Sequence, residues 1–555
     1  MRKRKPLLSS NSKSPHTVLQ EQPNKKIQVL LLVLFFSVLF CALSLRIYKG
    51  HHAGIMFDES MTNSLYAQDL DKALSSYSHV NNHVLNSVLI YFARQWFGDY
   101  EHYIRIPSIL AGLWFVLMLA YVVKRTIKTP LLQIVTLAWA AFVPLTFDYT
   151  ILARGNSLAM AAVYTQIALV LWLLSHNIKF RYWWVPALLI GLLNFVAFGA
   201  MLASALFLAS LNVSYIFFYS HAIFSVESQV VSKTPVRNRA PAVRRIYTII
   251  LNSITIFFVT LIPTYFLFRN MLSGVARVAE NTNIPKYPDF TGYMNKLLIK
   301  DVFRMGDIWG IVLALGLALM LCISLAFLLY RTLKEPNTGQ DKNQPGKLNP
   351  ANFILLITGL TILFMFIYNV FLNRLLAHAR YSVYLQPVYL LSIIILLERF
   401  TLALRRRPWP QLLRAVFAIL ITAILVNNFP SPRSIGSSTM SGPLLHRLKK
   451  IDPDKTWKII FSPHMRTHYV GFIYYHQFGY KFQIPRGYYN MKYWPGFKPD
   501  LIVAKKDEAP PHLECIDPEY FDPLDCVVIR NDKYPLPQQY EHIAAIFGPK
   551  KTSKK

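Results

Sequence analysis

Acidic residues are scarce in this sequence: 28 Asp and Glu stand against 59 Lys and Arg, a formal net charge of +31. Charge of either sign is short, at 16% of residues, where soluble domains carry about 25%. That shortage excludes an ordinary soluble enzyme. A basic excess gathered on one soluble domain would point to nucleic acid; here it is spread between apolar runs, so no nucleic-acid partner is expected. Cysteine is limited to four residues. Cys41 and Cys322 fall inside apolar runs and read as small core residues. Cys515 and Cys526, in "ECIDPEYFDPLDC", lack CxxC spacing and are disulfide candidates if the tail lies in an oxidising compartment. No internal repeat is visible.

What the chain has in quantity is hydrophobic sequence, 54% of residues. Windows of about 20 apolar residues, the length of one spanning helix, recur along it. Roughly eleven spans are expected on the window rule, near 27–46, 105–123, 130–147, 157–174, 183–197, 198–219, 246–268, 309–330, 351–372, 381–399 and 411–429. The first begins near Ile27 with no clean cleavage site after it, so it is expected to remain as a span. Basic loops at 124–128, 179–181, 232–245 and 405–407, with the "MRKRK" arm, fall on one side of that arrangement, which is therefore cytoplasmic. The expected localisation is a bacterial inner membrane, with the C-terminal part exported.

The predicted fold class is an all-α polytopic membrane protein with a small exported α/β domain. Residues 1–26 form a polar, disordered arm, 27–429 the membrane domain and 430–555 the exported domain. Within the exported loop 47–104, "FDESMTNSLYAQDLDKAL" places Phe57, Met61, Leu65 and Leu74 near one helical face, and 83–98 forms a second amphipathic helix; both are expected to lie along the interface. In the tail, 456–462 and 500–505 read as strands and 468–479 as a helix, with no nucleotide-binding glycine loop.

Against so basic a background the adjacent acids Asp58 and Glu59 stand out. Neighbours on a helix diverge by about 100°, so they divide labour or merely suit the helix dipole. "HVNNHVLNS" packs His79, Asn82, His83 and Asn86 into a hydrogen-bonding surface apt for sugar hydroxyls, or else caps a helix. His79 and His83 have helical metal-pair spacing but no HExxH context. "FDYTILARGNS" supplies Asp148, Arg154 and Asn156, and "NRLLAHARYSVYLQP" supplies His378, Arg380 and Tyr381, at expected exported helix ends. Arginines there suit phosphate oxygens, or snorkel to lipid headgroups. The DxD at Asp69 and Asp71 carries little weight on a polar helical face.

Five segments in order, the "DE" pair, "NNHVLNS", "YIRIPSILAG", "LARGNSLA" and "ARYSVYLQP", resemble the GT-C superfamily of polyprenyl-phosphate-sugar glycosyltransferases. The likeness is greatest to the bacterial branch related to protein O-mannosyltransferases and the lipid A aminoarabinose transferase, and covers roughly residues 27–400. It implies inverting transfer of a sugar from a lipid-phosphate donor to a glycolipid, envelope glycan or protein acceptor on the exported side. It also implies Asp58 as catalytic base, with Glu59 supporting it or contacting the acceptor. Arg380, then Arg154 and His378, would stabilise the leaving phosphate, while Asn82, His83 and Asn86 contact sugar or acceptor. Val84 stands where many relatives carry proline, and "ARGNS" lacks the second acid of the aminoarabinose branch. A single-base mechanism requires no metal, although a divalent ion is compatible with it. A transporter or flippase of lipid-linked sugars, an oligosaccharide ligase and an inactive scaffold are the competing readings; the clustering of ionisable residues at helix ends favours an enzyme.

Overall fold

The computed structural model describes residues 25–53, 55–75, 82–98, 100–175, 184–231, 240–279, 286–287, 349–371, 376–377 and 383–403, with short pieces of the tail that include four strands. It opens with α1 (Lys25–His52), two residues earlier than the apolar run suggests. Then come α2 (Phe57–Met61), a π-turn (Thr62–Tyr66), α3 (Leu70–Ser75), α4 (Val84–Phe97) and α5 (Glu101–Ile104). The following helices are α6 (Ile106–Thr126), α7 (Pro130–Phe142), α8 (Pro144–Tyr149), α9 (Gly155–Ser175), α10 (Trp184–Ala200), α11 (Ala205–Val231) and α12 (Ala240–Ala279). After them stand α13 (Pro350–Phe366) and α14 (Leu385–Ala403).

Six helical segments are long and apolar enough to cross a membrane: Lys25–His52, Ile106–Thr126, Gly155–Ser175, Leu202–Tyr219, Ile246–Leu267 and Pro350–Phe371. Two shorter apolar helices, Pro130–Phe142 and Trp184–Ala200, accompany them. The protein is an integral multi-pass membrane protein. The expected span at 309–330 lies outside the described residues, as does that at 411–429 apart from isolated positions.

The core sits where α6, α9, α10 and α11 meet, around Phe115, Tyr164, Ile167, Phe207 and Leu211. Outward faces stay apolar, as lipid-facing surfaces must: Phe40 on α1 and Tyr265 and Phe266 on α12 are exposed. Cys41 corrects its expectation here, because it faces outward on α1 rather than into the core.

Proline explains one difference from the sequence reading. A single span was expected over 130–147; the helix stops at Phe142 and restarts at Pro144. Pro144 has no N–H to give Ala140 and forces the residue before it out of the α region, so Val143 is extended at φ −53°, ψ 123°. A second break separates α10 from α11, where Met201 is extended and a 3₁₀ turn, Leu202–Ser204, follows. A third lies in the expected amphipathic helix over 57–74. The π-turn, closed by Ala67 N–H donating to Thr62 O at 2.9 Å, advances the register by one residue. Thr62, Asn63 and Tyr66 are consequently buried, and Leu65 is exposed instead of lying on the buried face. The amphipathic helix expected over 83–98 forms as Val84–Phe97 and stops at Gly98, whose φ of +100° costs glycine no strain.

Short strands β1 (Lys286–Tyr287) and β2 (Leu376–Ala377) pair antiparallel. In the tail, β3 (Trp457–Phe461) and β5 (Leu501–Lys505) match the two expected strands. With β4 (Phe482–Gln483) and β6 (Cys526–Arg530) they form one sheet in the order β4-β3-β5-β6, parallel except for the β5–β6 pair. Cys515 and the expected helix at 468–479 lie outside the described residues.

Candidate active site

Three interrupted elements meet at one place: the start of α2, the turn 150–154 between α8 and α9, and the break at Ala200. Each interruption frees backbone groups that an unbroken helix would use internally, and buried side chains take them up.

Glu59 is fully buried and uses both carboxylate oxygens. Oε1 accepts from Arg105 Nε at 2.7 Å and from the Ala153 amide at 2.6 Å. Oε2 accepts from Arg105 Nη2 at 2.5 Å and from the Met56 amide at 2.9 Å. The Met56 bond closes the N-terminus of α2, satisfying an amide that the first turn leaves open. Arg105, at the head of α6, is 1% exposed, and its Nη1 also donates to Ala53 O and, at 3.3 Å, to Gly50 O. One ion pair therefore ties the end of α1, the start of α2, the head of α6 and the turn before α9.

Asp58 points elsewhere. Its Oδ2 accepts from Arg154 Nη1, and the side chain keeps 21% of its surface exposed where that of Glu59 keeps none. Arg154 is itself buried; Nη2 lies 3.3 Å from His83 Nε2, and the guanidinium carbon sits 5.7 Å from the Tyr149 ring centre. His83 Nδ1 lies 2.9 Å from Ala200 O. Ala200 O is open to it because the break at Met201 turns the Ser204 amide to Met201 O instead. A carbonyl can only accept, so Nδ1 carries the proton and Nε2 offers its lone pair to Arg154. The relay Ala200–His83–Arg154–Asp58 thus has a donor and an acceptor at every joint.

Gly155 makes this convergence possible. A Cβ there would lie 2.0 Å from Ala200 O and 2.9 Å from His83 Cβ, so glycine lets the two strands of chain touch. Around the relay, Ser108 Oγ bridges Asn86 Oδ1 and Arg154 O, each at 3.3 Å. Asn82 Oδ1 accepts from Ser87 Oγ at 2.7 Å, and Asn156 is buried in the first turn of α9.

The structure thus brings together Asp58, Glu59, His83, Asn86 and Arg154, residues as far as 96 positions apart. Asn82 and Asn156 flank them on the same segments. Asp148, expected in a short exported loop between two spans, lies on α8, where it faces the charges of Arg46 and Lys49 on α1. Arg154, expected to offer its guanidinium to phosphate, holds Asp58 through Nη1 and lies beside His83 through Nη2. His378, Arg380 and Tyr381 lie outside the described residues, as does His79. From the same late segment, Tyr384 donates to Ala203 O at 2.7 Å and Gln386 Oε1 accepts from Thr146 Oγ1 at 3.1 Å, which anchors α14 beside α8 and the Ala200 break.

Sequence reasoning missed Arg105. The signal was a lone arginine at the head of an apolar run, "YIRIP", a position where burial requires an anionic partner. Arg46 is a further such residue, a charge inside the first apolar run, two of whose partners lie far away in sequence.

No protein-family model and no curated protein matches the sequence. Similar solved structures include ArnT from Cupriavidus metallidurans bound to undecaprenyl phosphate, at 12% identity and TM-score 0.39, over 95% of this chain and 99% of that one. The same protein in the apo state gives 11% identity and TM-score 0.45 over the same shares. The archaeal oligosaccharyltransferase AglB from Archaeoglobus fulgidus, in complex with an inhibitory peptide and a dolichol-phosphate, gives 12% identity and TM-score 0.38, over 85% of this chain and 69% of that one. With all three scores below 0.5, the assignment of function falls to this chain's own side chains.

Proposed function

We propose that the chain is a membrane glycosyltransferase of GT-C type that moves a sugar, with inversion, from a polyprenyl-phosphate carrier to a hydroxyl acceptor on the exported side of the membrane. The acceptor class is a glycolipid, an envelope glycan or a protein. The carrying observation is the division between the two adjacent acids: Glu59 is sealed in a four-way hydrogen-bonded clamp, while Asp58 stays accessible and is held by a buried arginine. Four of the five segments that carry the family resemblance supply that cluster.

In this reading Asp58 takes the proton of the attacking hydroxyl, and Arg154, oriented by His83, fixes the carboxylate toward the acceptor. The leaving group is a phosphate, already anionic, so no general acid is needed. Positive charge near it falls to His378 and Arg380, by the resemblance, and Asn82, Asn86 and Asn156 supply amides for hydroxyls. Glu59 acts through position rather than by touching substrate. A flippase would need ionisable groups within the spans to be available to its cargo. The buried Arg46 and Glu398 are instead committed to protein groups: Arg46 to Ala42 O, Ala141 O and Thr150 Oγ1, and Glu398 to the Lys128 and Thr129 amides.

The test compares membranes carrying wild type and Asp58→Asn at equal expression, against a deletion strain, by mass-profiling lipids and envelope glycans. Wild type restores an increment of one sugar that Asp58→Asn does not. Full restoration by Asp58→Asn removes Asp58 as the base and the proposal with it.

A further inference from the structure

The proline break between α7 and α8 leaves a backbone defect in the buried core. In an unbroken helix the Ala141 carbonyl would accept from the amide of residue 145; the extended Val143 and the following Pro144 prevent it. A buried carbonyl without a partner is costly. Arg46, buried on α1, takes that place: Nη2 donates to Ala141 O at 2.7 Å. Nε donates to Thr150 Oγ1 at 2.8 Å, and Nη1 returns to Ala42 O, one turn back on α1, at 2.9 Å. The guanidinium lies 4.8 Å from the Phe147 ring centre, so its face is covered as well as its edges. Each of its nitrogens has an acceptor.

Thr150 is the first residue of the turn that carries Ala153 and Arg154. Its hydroxyl passes the bond on to Phe147 O at 2.6 Å. Its backbone presses on Gly112 of α6, where a Cβ would meet Thr150 O at 2.2 Å. The turn is therefore pinned on one side by Arg46 and Gly112 and on the other by Glu59 and Ser108, with Arg154 projecting between. We propose that Arg46 is a positioning residue for the Asp58–Arg154 pair: by bridging the helix break and Thr150 it sets where Arg154 stands, and through it the orientation of Asp58. The inference rests on the proposed site, but not on the identity of the reaction performed there.

The far end of α7 supplies a control. Glu398 accepts from the Lys128 amide at 3.0 Å and the Thr129 amide at 2.7 Å, capping that helix at its other terminus. Loss of either charge weakens α7; loss of Arg46 alone should release the turn. The experiment uses full-length protein in detergent micelles, as wild type, Arg46→Met, Arg46→Lys and Glu398→Gln, held below the melting midpoint of each. A water-soluble carbodiimide labels carboxylates, and peptide mass spectrometry reads Asp58 against the exposed Asp71 as internal reference. Arg46→Met should raise relative labelling of Asp58 at least threefold, and Glu398→Gln should leave it at the wild-type value. Arg46→Lys should stand nearer to Arg46→Met, since an ammonium lacks the rigid planar fork whose three nitrogens meet three separate acceptors here. Unchanged labelling in Arg46→Met, or an equal rise in Glu398→Gln, overturns the proposal. A selective rise in Arg46→Met, where the wild-type protein itself shows no sugar transfer, supports the positioning role and removes the glycosyltransferase reading instead.

Discussion

Replacing Glu59 by Gln tests the division between the two acids directly. The side chain keeps its shape, so the effect comes from charge and hydrogen-bond polarity. Four donors converge on two oxygens, one Arg105 nitrogen and one backbone amide on each. Whichever way the new amide turns, its NH2 meets two donors, and the buried Arg105 loses its anion. Breaking one partner of a buried pair costs about 3–5 kcal/mol, because the other charge stays in a low-dielectric site. Asp58→Asn should cost far less, on the order of 1 kcal/mol, because Asn still offers Arg154 an acceptor and the side chain is partly hydrated. Unfolding of purified protein in micelles, followed by tryptophan fluorescence, should therefore place Glu59→Gln well below wild type and Asp58→Asn close to it. Sugar transfer should be lost in Asp58→Asn. A double variant, Glu59→Leu with Arg105→Met, should be less damaging than the sum of its single changes, because neither charge is left stranded. Additive effects, or a Glu59→Gln protein that unfolds with wild type, would refute the clamp.

Two other outcomes follow from the geometry. Gly155→Ala puts a methyl 2.0 Å from a backbone oxygen that cannot rotate away, so it should destabilise by about 1–3 kcal/mol and loosen the His83–Ala200 contact; the same unfolding assay and transfer assay read both. His102, on α5 beside His51, titrates below its ordinary value of 6.5, first through burial and then through repulsion from His51, with Glu101 opposing and Arg105 adding to the shift. The folded state thus binds its proton more weakly than the unfolded state. Stability should fall as pH drops through about 6.5 and level off below the folded value, and His102→Gln should flatten that part of a melting-against-pH series.

The membrane class was legible because apolar run length is a strong and local signal, and α1, α6, α9, α12 and α13 lie where the windows put them. Helix interruptions were legible in part. Pro144 announces its break, yet the surrounding apolar residues outweigh one proline in a window average. The π-turn after α2 leaves no comparable trace, since its one-residue shift follows no proline, glycine or change in hydropathy in "TNSLY". Of the site, the residue types were visible and the pairings were not. Arg154 and Asp58 are 96 positions apart, and no periodicity links them. Arg105 and Arg46 were hidden for another reason: a cation in an apolar run reads as a boundary or a blemish until the partner that neutralises or hydrogen-bonds it is known.

The scarcity of acid in the chain gives the two adjacent carboxylates their meaning. On one short helix their side chains diverge, so each reaches a different buried arginine, Asp58 to Arg154 and Glu59 to Arg105. Two carboxylates and two guanidiniums carry no net charge between them, which is what lets four ionised groups sit at the end of a membrane bundle. In the proposed reaction Asp58 gains a proton as the acceptor attacks, and the quartet then carries one positive charge. That charge arises at the moment a phosphate is leaving as an anion. A charge that develops only along the reaction stabilises the transition state more than the ground state, the requirement for catalysis rather than mere binding. Arg154, bonded to Asp58, is the group through which that change would be felt.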